Sequence, residues 1–125
     1  MKKIALLVAG ALVLAACSSG AGAAQQSAEE FATTISQAGV VIIDVRTPEE
    51  YVAGHIEGAL NIPIEVGDFD SAIGSLDRET HYAIYCRTGR RSALAVERMS
   101  KAGFTTMSEL RDGIVSWTGP LVAGN

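Results

Sequence analysis

Seven consecutive residues concentrate the chemistry of this sequence: Cys86-Arg87-Thr88-Gly89-Arg90-Arg91-Ser92. They lie between an apolar run that reads as a strand and a periodic run that reads as a helix. A loop entering a helix points free backbone N–H groups inward and forms a nest for an anion. The helix N-terminus adds partial positive charge. Arg87, Arg90 and Arg91 are permanently protonated and able to grip an oxyanion. All three effects favour thiolate over thiol, so this arrangement predicts a largely ionised, nucleophilic Cys86 at neutral pH. Gly89 suits a backbone that must turn tightly or take positive φ. The competing reading is a buried structural cysteine, with the arginines on a solvated helix face. Three arginines directly after a free thiol weigh toward chemistry.

Other candidates are weaker. The second cysteine, Cys17, lies in an apolar leader. There is no CxxC pair and no Cys/His cluster, so neither a dithiol nor a zinc site is expected, and no cofactor is implied. His55 and His81 have no ligand partner at metal-site spacing and are expected to be structural. Glu49 and Glu50 fit helix-start acids better than a catalytic carboxylate pair. Trp117 reads as a core or lid residue.

The elements that must position Cys86 follow from pattern. Ser27-Ala28-Glu29-Glu30 fits a capping box, opening a helix to about Ala38 that Gly39 would end. Val40-Val41-Ile42-Ile43 is a continuous β-branched run, the mark of a strand buried on both faces. Thr47-Pro48-Glu49-Glu50-Tyr51 starts a short helix that Gly54 stops. Ala59 to Pro63 is a short strand, and Phe69 to Leu76 a helix weakened by Gly74. His81 to Tyr85 is a strand that delivers Cys86, and Arg87 to Arg91 is a loop. Ser92 to Ala102 is a helix with Ala95, Met99 and Ala102 on one face. Thr105 to Leu110 is a last strand, and Asp112 to Thr118 a short terminal helix. Strands alternating with helices imply an α/β fold, a parallel sheet with helices on both faces. Ligands in such sheets bind beyond the carboxyl ends of strands, where Cys86 sits.

The first residues have a different logic. Lys2 and Lys3 precede a thirteen-residue apolar run, Ile4 to Ala16. That is shorter than the ~20 residues needed to span a bilayer. Leu14-Ala15-Ala16-Cys17-Ser18-Ser19-Gly20 resembles a bacterial lipoprotein signal, which implies cleavage before Cys17 and its acylation. The expected organisation is a signal peptide over 1–16, a lipidated Cys17 with a flexible tether over 17–26, and one domain over 27–125. A lipid-anchored location on the extracytoplasmic side of a membrane follows, with the membrane itself as a partner. The chain carries 10 basic and 14 acidic residues, a net charge of −4. Without Lys2 and Lys3 the balance is 8 against 14, or −6. That argues against nucleic acid as a partner. A small anion remains compatible, since it feels the field of its pocket.

The domain resembles the rhodanese family. Asp44-Val45-Arg46-Thr47-Pro48-Glu49-Glu50-Tyr51 is similar to its first signature, and Gly54-His55-Ile56-Glu57-Gly58-Ala59-Leu60-Asn61-Ile62-Pro63 to its second. Cys86 to Ser92 matches the active-site loop. Leu110-Arg111-Asp112-Gly113 with Trp117 is similar to the closing segment, where two glycines are more usual than Asp112-Gly113. The resemblance implies a three-layer fold around a five-stranded, mostly parallel sheet. It also implies sulfur transfer through a Cys86 persulfide, from thiosulfate or another small anionic donor to a thiol or cyanide. Arg91 would bind the donor. Arg87, Thr88, Gly89, Arg90 and Ser92 would shape the pocket, and Asp44 and Arg46 would support the loop. Phosphatases that share the fold carry arginine six residues after cysteine, and here that position is Ser92. A sulfane-sulfur carrier and a thiol redox sensor are the remaining alternatives.

Overall fold

The computed structural model of the protein describes residues 22–125. The signal peptide expected over 1–16 and the lipidation expected at Cys17 fall outside the described residues. Among the described residues there are five strands: β1 (Ala24–Gln26), β2 (Val41–Asp44), β3 (Leu60–Asn61), β4 (Tyr82–Tyr85) and β5 (Met107–Leu110). Four α-helices alternate with them: α1 (Ala28–Ile35), α2 (Pro48–Ala53), α3 (Phe69–Gly74) and α4 (Arg90–Lys101). A 3-10 turn over Ile114–Ser116 follows β5. The strand order is β1-β5-β4-β2-β3, and every pairing is parallel.

The central strands are almost wholly buried because helices cover both faces, and β4 is apolar along its length. On one face Ile43, Tyr82, Ile84 and Cys86 pack with Phe69 and Ile73 of α3 and Ala95, Val96 and Met99 of α4. On the other, Ile42, Ala83, Tyr85 and Leu110 pack with Phe31 of α1 and with Trp117. Phe31 meets both rings edge-on, at 6.4 Å from Tyr85 and 6.1 Å from Trp117. Trp117 therefore belongs to the face opposite Cys86.

Local signals start the helices as expected. Ser27 Oγ accepts from the Glu30 N–H while Glu30 accepts from the Ser27 N–H, a complete capping box. Thr47 caps α2, with Pro48 at its first turn.

Four boundaries differ from the pattern reading. Ala24–Gln26 form an edge strand on β5 instead of a tether, because backbone pairing needs no apolar side chains. Helix α1 ends at Ile35, where Ser36 closes it. Helix α4 begins at Arg90, so Arg90 and Arg91 are its first turn and not loop. Its buried face is Ser92, Ala95, Val96 and Met99, while Ala102 is exposed. The segment after Asp112 makes a 3-10 turn only.

Candidate active site

Cys86 follows the carboxyl end of β4 and is fully buried. It is the free cysteine of the described residues. The Gly89 N–H donates to Cys86 Sγ at 3.0 Å. Gly89 caps α4 with φ +103°, which turns that N–H inward. Of the backbone N–H groups expected to form a nest at the helix start, that of Gly89 is aimed at the sulfur.

The 110–114 segment holds this loop from outside. Ile114 N–H donates to Cys86 O at 2.9 Å, and Val115 N–H to Arg87 O at 3.2 Å. The approach is close enough to require glycine on both sides. A Cβ on Gly89 would stand 2.2 Å from Arg111 O, and one on Gly113 would stand 2.1 Å from Arg87 O. Asp112 is exposed and no residue other than glycine has positive φ among the described residues, so the departure at 112 strains nothing.

The arginines divide. Arg87 and Arg90 are exposed beside the loop, with Thr88. Arg91 is engaged: its guanidinium pairs with Glu50 at 2.6 Å and Glu65 at 3.0 Å. That contact holds the Glu50 carboxyl down at about 2, so the pair stays charged across the ordinary pH range. No local pattern marks this pairing, because Glu50 and Glu65 lie 41 and 26 residues away in the chain.

Ser92 is not at the mouth. It is fully buried beneath Cys86, with the two side chains 3.4 Å apart. Ser92 Oγ also lies 2.6 Å from Glu109 Oε2 and 3.2 Å from Gly89 O. Glu109, which pattern reading passed over, is therefore the residue nearest to the chemistry that was missed. The available signal was a polar Ser-Glu pair inside a strand otherwise apolar on both faces.

Asp44 and Arg46 form a buried ion pair of 2.6 Å. Arg46 also donates to Gly54 O at 2.7 Å and lies over the Tyr85 ring. Asn61 Nδ2 donates to the carbonyls of both residues. Their bonds fasten β2 to β3 and to the turn at Gly54 that ends α2, and they reach toward the Cys86 loop through Tyr85. His55 stacks on Tyr51 at 3.6 Å, and its Nδ1 lies 2.7 Å from Tyr51 O. His81 Nε2 lies 2.7 Å from Ser108 Oγ, a link between β4 and β5. Both histidines serve the framework.

Comparisons with known proteins agree with this geometry. The rhodanese-like domain profile matches residues 27–120. The chain is 38% identical over 78 residues to the probable adenylyltransferase/sulfurtransferase MoeZ of Mycobacterium tuberculosis, covering 62% of this chain and 20% of that protein. It is 40% identical over 63 residues to the thiosulfate sulfurtransferase PspE of Escherichia coli, covering 50% of this chain and 61% of that one. The chain thus spans less than two thirds of the length of either relative. The solution structure of the rhodanese-like domain from the Anabaena protein Alr3790 superposes with a TM-score of 0.71 at 30% identity, covering 79% of this chain and 78% of the other. A parallel five-stranded sheet, a buried cysteine nested at the head of α4 and these matches agree: the chain belongs to the rhodanese-like domain family.

Proposed function

We propose that this protein is a sulfurtransferase that moves sulfane sulfur from thiosulfate, or a polysulfide, to a thiol or cyanide through a Cys86 persulfide. The observation that carries the reading is the Gly89 N–H aimed at Cys86 Sγ from the head of α4. That donor is in place for charge that develops on sulfur during the reaction. Sulfurtransferase chemistry at the level of the family supports it.

The reaction divides in two, as covalent catalysis does. The Cys86 thiolate attacks the outer sulfur of thiosulfate. A sulfur–sulfur bond forms at Sγ, the sulfur–sulfur bond of the donor breaks, and sulfite leaves with that electron pair. Cyanide or a thiolate then attacks the outer sulfur of the persulfide. Thiocyanate or a new persulfide departs, and Cys86 is again a thiolate. Arg87 and Arg90 attract the anionic donor to the mouth. Arg91 joins them once it exchanges Glu50 and Glu65 for the sulfonate oxygens.

The test is the intact mass of the purified protein after incubation with thiosulfate. One sulfur atom gained, lost again on adding cyanide and mapped to the Cys86 peptide, is the expected outcome. No gain in a folded protein with a titratable thiol retires thiosulfate as donor.

We further propose export and lipid anchoring through Cys17, on the strength of the leader sequence. Cells grown with labelled palmitate are expected to label the wild-type chain and not Cys17→Ala. Label retained in the variant overturns the anchor.

A further inference from the structure

The mechanism leaves one buried acid unused. Glu109 is 2% exposed, in a strand whose neighbours are core residues. Its Oε2 lies 2.6 Å from Ser92 Oγ, and its Oε1 accepts from Gln25 Nε2 at 3.1 Å. Ser92 Oγ lies 3.4 Å from Cys86 Sγ. A hydrogen-bonded chain therefore runs Cys86–Ser92–Glu109 through the interior and ends at Gln25 on the edge strand.

A hydroxyl has one proton to give. The chain accordingly has two directions. In one, the Cys86 thiol donates to Ser92 and Ser92 donates to the Glu109 carboxylate. In the other, the protonated Glu109 donates to Ser92, and Ser92 donates to the Cys86 thiolate, which also takes the Gly89 N–H. The two forms have the same atoms and the same single negative charge. Ionising both ends would place two like charges in the interior, which is the less favourable arrangement.

We propose that Glu109 is a positioning residue for Cys86, taking up the thiol proton through Ser92 as the nucleophile forms. This rests on the reading of Cys86 as the sulfur-carrying nucleophile. The step balances within the protein. The sulfur–hydrogen bond breaks and its electron pair stays on sulfur. Ser92 gains that proton and passes its own to Glu109 Oε2. No outside acid or base takes part. While the persulfide exists, Sγ is bonded to sulfur and cannot take the proton back. Glu109 stays neutral through that state, so it adds no charge to oppose an incoming anion.

Burial pushes the Glu109 carboxyl up, against the lowering effect of its bonds to Ser92 and Gln25. That makes the neutral form reachable. A cavity of about 410 Å³, lined by Gln25, Val96, Lys101 and Glu109 among others, lies behind the carboxyl and away from the mouth. The charged groups facing this assembly are Glu97 and Lys101 of α4, paired with each other at 3.2 Å, and Arg87 and Arg90 near the mouth. Edge strand β1 presents Gln25, and β4 presents apolar side chains.

The experiment measures the pH dependence of Cys86 alkylation by iodoacetamide in the full chain, read on the Cys86 peptide. Wild type and Glu97→Gln are expected to gain reactivity in two coupled steps, as the pair sheds two protons. Glu109→Gln is expected to gain it in one. Coincident profiles for wild type and Glu109→Gln overturn the proposal. Should that variant not fold, NMR of the Glu109 carboxyl carbon in wild type and Cys86→Ser decides. A titration midpoint that moves when the thiol is removed supports the coupling, and an unmoved one overturns it. Thiosulfate loading of the wild type, run beside these, separates the outcomes. Failure to load retires thiosulfate as the donor and leaves the alkylation profiles to judge Glu109.

Discussion

Cys86→Ser is expected to lower sulfur transfer from thiosulfate to cyanide by at least ~10³-fold, the scale of losing a covalent nucleophile. The exchange replaces one buried atom. Serine can still accept the Gly89 N–H and still face Ser92, so the loop keeps its anchors. A hydroxyl in place of a thiol at a fully buried position changes stability by about 1–2 kcal/mol. The variant should therefore fold, melt cooperatively within several degrees of wild type, and release no thiocyanate. Thiocyanate formation by colorimetry, beside a thermal melt, checks both halves. Turnover within about tenfold of wild type, on a well-folded variant, would remove Cys86 from the mechanism.

Gly113→Ala should have the second largest effect, although residue 113 touches no substrate. Its backbone sits at φ 73° and ψ −176°, a region essentially reserved for glycine. The space is closed as well: an added Cβ would meet Arg87 O, Arg87 C and Thr88 N at 2.1, 2.3 and 2.5 Å. All three are backbone atoms of the active loop, so no side chain can swing aside. The loop must move, and the bonds from Ile114 and Val115 that fix it must lengthen. We expect a loss of ~3 kcal/mol in stability. Displacing the nucleophile by about 1 Å should cost ~10²-fold in turnover. Gly39→Ala is the control, since Gly39 has φ +84° but nothing within 4 Å of its Cβ position. It should lose about 1 kcal/mol and keep full activity. Denaturant titration with steady-state kinetics on both variants separates crowding of the loop from strain alone. Full activity in Gly113→Ala would show that the loop does not depend on this packing.

The contrast between what pattern reveals and what it hides has a physical basis. The path from β4 through Cys86 to α4 was legible because each part carries a local signal: an apolar run, a glycine, a periodic helix. The buried parallel strands were legible for the same reason. Ala24–Gln26 was not, because an edge strand is made by backbone bonds to β5 and its side chains are largely exposed. Arg91 looked free because the acids that hold it arrive from α2 and from the segment after β3. Glu109 looked like any acid in a strand. Only its neighbours in space, Ser92 and Gln25, give it a role.

The parallel register of β1 has a further consequence. Ala24 is level with Ser108, which is level with Ala83, and the chain runs from there toward the Cys86 end of the sheet. Gly22 and Ala23 lie beside Ser100 and Lys101, where α4 finishes its descent from the active loop. Gly22, the first described residue, thus stands at the base of the domain, and the Cys86 loop stands at its crown. A surface that held the domain by its base would leave the loop on the far side, open to diffusing sulfur compounds without passage beneath the domain.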